Sequence, residues 1–189
     1  MAVKQQNITA DRFLEIVEQP QNQDRLLELV EGIIIEMSKP KRIHGVIVAW
    51  LTARIVNFVE SSGLGEVTTG ETGFVLERNA YGRDTVRGLD IAFVSSERLP
   101  TPPDYTWYEF GPDLAVEVIS PNNKTADTHL KVTQLLKAGT SLIWLGYPET
   151  RAVEAHTAAG ANTLYEDDTL SGGDVLPGFI LRVADIFPS

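Results

Sequence analysis

The chain has 189 residues, a formal net charge of −10 and no cysteine, which allows one domain with a real core and excludes disulfides and thiolate metal sites. The acid excess argues against tight non-specific nucleic-acid binding, which rests on neutralising phosphates with Lys and Arg, although part of it can sit in a carboxylate site that a cation neutralises. No apolar run approaches the roughly 20 residues of a membrane span, and Met1 to Ala10 lack a secretory signal's apolar stretch, so the expected setting is cytoplasmic without a membrane partner.

In chain order, Asp11 to Glu18 reads as a short helix with Thr9 as N-cap. Leu26 to Val30 and Ile33 to Met37 are apolar runs around Glu31-Gly32, a hairpin signal. Ile43 to Ser61 is the longest helical segment, stopped by Gly63; its apolar residues cover more than one face, which predicts burial on two sides. Glu66 to Thr69, Gly73 to Glu77, Leu89 to Ser95 and Leu114 to Ser120 read as strands, and Thr125 to Ala138 as a helix ended by Gly139. Ser141 to Gly146 is an uncharged strand expected at the sheet centre, followed by strands at Arg151 to His156, Thr163 to Glu166 and Ile180 to Val183. Without repeats or linkers, residues 1–189 form one domain: an α/β (α+β) fold with a mixed sheet and helices packed on it.

Two strands carry chemistry. Asp90 opens the apolar run Leu89 to Val94, and Glu117 sits among valines and isoleucines in Leu114 to Ile119. A carboxylate in a buried strand is costly unless compensated, and a hard divalent cation compensates it well. On the following helix Asp127, Lys131 and Gln134 fall within an arc of about 60°, so Lys131 can reach the Glu117 strand and face a phosphate oxygen. The plain alternatives are a solvent-facing Glu117, Asp90 as a strand-start residue, and Asp127 with Lys131 as an ordinary i,i+4 helix pair. His44, after Lys41-Arg42, reads as a local hydrogen-bonding histidine in preference to a phosphate contact. His129 and His156 have no ligand-like spacing with it. Tyr105, Trp107, Tyr108 and Phe110 read as core or interface rather than base-stacking aromatics.

With these segments in order, the chain resembles the putative restriction endonuclease family (Uma-type) of the PD-(D/E)XK nuclease superfamily. The resemblance is carried by Glu28-Leu29-Val30-Glu31-Gly32, Pro40 and His44, Leu89 to Ser95, Pro112-Asp113 through Pro121, Lys131, Leu142-Ile143-Trp144 and Leu176-Pro177-Gly178-Phe179. It implies a restriction-endonuclease-like core with Asp90 and Glu117 as metal acids. Ile119 stands where the superfamily usually has its lysine, so the resemblance puts Lys131 in the catalytic role and the Ile119 backbone carbonyl among the metal ligands. Glu28 is implied as an additional acid, direct or through a water. The chain departs from the family at Leu89, where a proline is usual, and at Tyr147-Pro148, where Asp-Pro is frequent; Asp113 reads as a strand-start residue. The implied activity is Mg²⁺- or Mn²⁺-dependent cleavage of DNA phosphodiesters by a homodimer, with weak nucleic-acid contacts from His44, Lys41 and Arg42. The alternatives are a catalytically inactive nuclease-fold binding or assembly module and a hydrolase of another phosphate ester.

Overall fold

Thr9 caps the first helix by accepting a hydrogen bond from the Arg12 backbone N–H at 3.3 Å, and α1 (Ala10–Val17) buries Ala10 and Phe13. The structure is a computed structural model describing residues 7–101, 106–121 and 123–188; Tyr105 lies outside them. β1 (Leu26–Val30) and β2 (Ile33–Met37) form an antiparallel hairpin with Val30 opposite Ile33. Both turn residues are left-handed, Glu31 at φ 49° and Gly32 at φ 80°, as a two-residue hairpin matched to strand twist requires. α2 (Arg42–Ser62) ends at Gly63, whose φ of 62° turns its N–H back to the Glu60 carbonyl.

There follow β3 (Gly65–Glu77), β4 (Thr85–Ser95), β5 (Leu114–Val118), α3 (Thr125–Lys137), β6 (Leu142–Tyr147), β7 (Ala152–Thr157) and β8 (Gly160–Leu164). A small pair, β9 (Thr169–Ser171) with β10 (Ile180–Arg182), stands apart. The large sheet runs β2-β1-β4-β5-β6-β7-β8, with β3 paired to β4. Only β5 and β6 are parallel, and α3 makes the crossover a parallel pair needs. As expected, the uncharged β6 lies between β5 and β7.

β4 organises the molecule. β3 covers one of its edges, from Ser95 to Thr85. Val86 also pairs with Leu29 of β1, while Ile91 to Phe93 also pair with β5. A strand has two edges, so β1 and β5 share the second one and the sheet forks between Val86 and Ile91. One face packs Ile47, Leu51, Ile55 and Val59 of α2 against Ile91, Phe93, Val116 and Trp144. The other packs Val132 and Leu135 of α3 against Ala92, Ala115, Ile143 and Leu145.

Several expectations change. α2 is buried along one i,i+4 stripe only: Ile43 is 38% and Trp50 43% exposed, since no described element covers its outer side. By length and composition α2 is the one described helix that could cross a membrane, yet its stripe packs on the sheet as a core helix does. The two strands expected at residues 66–69 and 73–77 are one bulged strand. Asp90 lies inside β4 rather than at its start. β8 begins earlier than expected, and β9 has no counterpart in the sequence reading.

Candidate active site

Between Val86 and Ile91 neither β1 nor β5 supplies partners to the backbone of β4. Side chains take their place. The Gly88 N–H donates to Glu28 Oε1 at 3.2 Å, and the Gly88 carbonyl accepts from Lys131 Nζ at 2.8 Å. Buried backbone groups must find partners, and here charged side chains are drawn into the fork to provide them. At the β5 end, Asp90 Oδ2 accepts from the Val118 N–H at 2.8 Å and lies 3.1 Å from His44 Nε2 of α2. Both bonds use Oδ2, which leaves Oδ1 for a ligand.

Glu117 stands one step past the Ile91–Val116 pair, which places it opposite Asp90. Lys131 reaches down from α3, its Nζ 2.8 Å from Glu117 Oε1 and 3.2 Å from Glu28 Oε1. Behind it, Arg87 is 5% exposed and donates to Glu28 Oε2 at 2.7 Å and twice to Gln134 Oε1 at 2.9 and 2.7 Å. A cleft of about 340 Å³ opens over this group, lined by Glu28, Glu117, Ile119 and Lys131 together with Met37 and Ser38.

The electrostatics follow from this crowding. Burial pushes the Glu117 carboxyl up to about 8 against the pull of Lys131, and Asp90 and Glu71 add to the rise. The Lys131 contact by itself would suggest an ordinary ion pair. Burial prevails over the ammonium 2.8 Å away because Glu117 Oε1 is enclosed by protein. Burial would lower the Lys131 pKa, but Glu117 and Glu28 outweigh it and hold the amine charged. Burial likewise opposes ionisation of Glu28, and Lys131 and Arg87 overcome it, so its pKa is lowered. The bond to Asp90 raises His44.

A family model described as "Putative restriction endonuclease" (Uma2) matches residues 10–184, nearly the whole chain. The chain belongs to this family. The Uma2 chain also shares its fold with the crystal structure of a putative nuclease belonging to DUF820 from Anabaena variabilis: the TM-score is 0.82, with 21% identity, over 95% of this chain and 97% of that one. Among curated proteins nothing matches.

The Uma2 chain brings Asp90, Glu117, Lys131, Glu28 and His44 to one place, from β4, β5, α3, β1 and α2. His44, read as a locally bonded helix-start residue, instead reaches a carboxylate 46 positions away. Lys41 and Arg42 remain exposed at the α2 start, beside the Met37 and Ser38 wall of the cleft. Asp127 is exposed on the cleft rim, and Lys131 pairs with Glu117 and Glu28 instead of forming the i,i+4 helix pair. Asp113 ties down the β4–β5 connection through Arg98 and the Ser95 N–H, both at 2.8 Å. Trp107 packs at a tilt against Phe13 and Tyr108 stacks on Phe74, so both are half-buried against the core. His156 bonds Glu154 on β7.

Two residues escaped the sequence reading. Arg87 lies before Leu89, where the strand was expected to begin, yet it sits inside β4, and an arginine in a buried strand implies a buried acid partner. Glu71 lay in the gap between two supposed strands, and only the bulge in β3 brings it to the site.

The donor set suits a hard divalent cation: carboxylate oxygens with Asp90 Oδ1 uncommitted, Glu117 Oε1 without an aligned donor, and an Ile119 carbonyl that accepts no hydrogen bond among the described residues. Among the described residues no group of three or more His, Cys, Asp or Glu is placed to hold a metal ion. Lys131 pairs with both Glu117 and Glu28, and Arg87 pairs with Glu28.

Proposed function

We propose that this protein is an endonuclease that hydrolyses DNA phosphodiesters with Mg²⁺ or Mn²⁺ as cofactor. The observation that carries the reading is the meeting of Asp90, Glu117 and Lys131 at the fork of the sheet, with Glu117 and Lys131 lining an open cleft. Asp90 Oδ1, Glu117 and the Ile119 carbonyl would hold the cation, which supplies Lewis acidity and a more acidic bound water. The Lys131 ammonium, anchored on the Gly88 carbonyl, faces the phosphate and stabilises negative charge developing on its oxygens. His44 fixes the Asp90 carboxylate in place through Oδ2. The exposed Lys41 and Arg42 contact the DNA backbone and contribute position rather than sequence. A homodimer would present two such sites, one for each strand.

Cleavage of plasmid DNA and of RNA in Mg²⁺ and in Mn²⁺ tests the reading. DNA cleavage is expected with either metal and none in EDTA. Asp90→Asn, Glu117→Gln and Lys131→Met should each lose about a hundredfold or more in rate while remaining folded. A wild-type protein that binds Mn²⁺ but cuts no nucleic acid would instead leave a binding or assembly module on a nuclease fold.

A further inference from the structure

We infer that Arg87 is a positioning residue: it fixes where the Lys131 ammonium stands, acting through Glu28 on one side and Gln134 on the other. The inference rests on the reading above, in which Lys131 faces the phosphate, and adds to it a residue from outside the motif segments.

A lysine at such a site needs holding. Its stem is flexible and its ammonium is a point charge with no preferred plane, so its place is set by what surrounds it. Lys131 Nζ donates to the Gly88 carbonyl at 2.8 Å and lies 2.8 Å from Glu117 Oε1 and 3.2 Å from Glu28 Oε1. Arg87 governs the last of these neighbours. Its Nη1 donates to Glu28 Oε2 at 2.7 Å, while the Gly88 N–H donates to Oε1 at 3.2 Å. Glu28 is thus fixed at both oxygens and cannot turn to follow the ammonium without breaking one of these bonds.

The other half of the grip is on α3. Gln134 lies one helical turn past Lys131 on the same side of the helix. Its Oε1 accepts from Nε and Nη2 of Arg87 at 2.9 and 2.7 Å. The rigid, planar guanidinium therefore ties β1 to α3, and its own backbone in β4 adjoins the Gly88 carbonyl that anchors Lys131. The contacts close a ring: Arg87 to Gln134, along α3 to Lys131, across to Glu28 and back to Arg87. A slide of α3 against the sheet would break it at Arg87.

Stability alone does not account for this ring. A buried ion pair costs desolvation, and apolar side chains of similar volume often fill such a place as well or better. Gln134 adds to the cost, since its Nε2 is buried with no hydrogen-bond partner among the described residues. What an apolar filling cannot do is hold a charge at a fixed point, and the charge held here is that of Lys131.

The test uses the full chain and reads Lys131 directly. A buried, bonded ammonium exchanges its protons slowly, so proton–nitrogen correlation spectra should show the Lys131 side chain, assigned by its loss in Lys131→Met. Arg87→Lys keeps a positive charge beside Glu28 but lacks the fork that reaches Glu28 and Gln134 together. Gln134→Leu keeps the Arg87–Glu28 pair and removes the hold on α3. Each variant should retain the wild-type backbone amide pattern away from the site and shift or lose the Lys131 signal. In cleavage assays each should lower kcat about tenfold or more with KM unchanged, as misplacing a group that acts in the transition state does. Folded variants with the wild-type Lys131 signal overturn the inference, as does a wild type that shows no such signal. Unfolding of both variants would make Arg87 a part of the core only and also overturn it. A moved signal with unchanged kcat would show that this placement does not serve cleavage. If the wild type cuts no nucleic acid, the nuclease reading falls, while the spectra still decide for or against the hold of Arg87 on Lys131.

Discussion

Each acid of the site carries a different burden, and pH separates them. Glu28 has a lowered pKa, so its contribution to stability is present above its ordinary value near 4.5 and lost as pH falls through the lower folded value. Replacing it with Gln leaves Arg87 buried and unpaired, and urea unfolding at neutral pH should show a loss of about 3 kcal/mol or more. Glu117 has the opposite sign. Its carboxyl is raised to about 8, so without metal the folded state loses stability as pH rises from about 4.5 through about 8. Glu117→Gln removes that ionisation. In EDTA its stability relative to wild type should therefore grow between pH 5 and pH 9, roughly the window the shifted carboxyl spans. A constant difference across the series would show that burial of Glu117 does not govern its ionisation.

At the scale of elements, the β3–β4 pair does the positioning. β3 is held tightly at its start, where a Cβ on Gly65 would fall 2.1 Å from the Val94 carbonyl oxygen. Gly65→Ala should accordingly destabilise by about 2 kcal/mol or more, read from denaturant midpoints, because backbone rather than a flexible side-chain end must move. Gly88 differs, since the closest atom to its added Cβ is the free end of the Glu71 side chain. Gly88→Ala should therefore fold with a smaller loss than Gly65→Ala, because the Glu71 carboxylate can swing aside, and denaturant midpoints of the two variants check this. The bulge between these glycines explains why two strands were expected where one exists: Gly70 and Glu71 interrupt the alternation of side chains without ending the ladder.

For the whole molecule, a net charge of −10 opposes approach to DNA, and the fork concentrates four acids where the proposed reaction would bring a phosphate. Cation binding and DNA binding should then be coupled. In EDTA at pH 9, where the Glu117 carboxyl is ionised, Glu117→Gln is expected to bind a DNA duplex more tightly than wild type by fluorescence anisotropy, and added Mn²⁺ should narrow the difference. Equal affinities in EDTA would mean that DNA does not enter this cleft.

Local sequence patterning marked most of the elements and the short list of acids. Period and punctuation located the hairpin at Glu31-Gly32, the stop at Gly63 and the central strand β6, because turns and buried strands impose local requirements that single residues meet. It also made Asp90 and Glu117 conspicuous as charges in apolar strands, and family resemblance ordered them with Lys131. The tertiary structure decided which acid does what. Glu28 and Glu71 differ through the partners that a forked sheet and a one-residue bulge bring to them: Arg87, Gly88 and Lys131 for one, none among the described residues for the other. Those partners lie tens of residues away along the chain, and local patterning carries no record of long-range register.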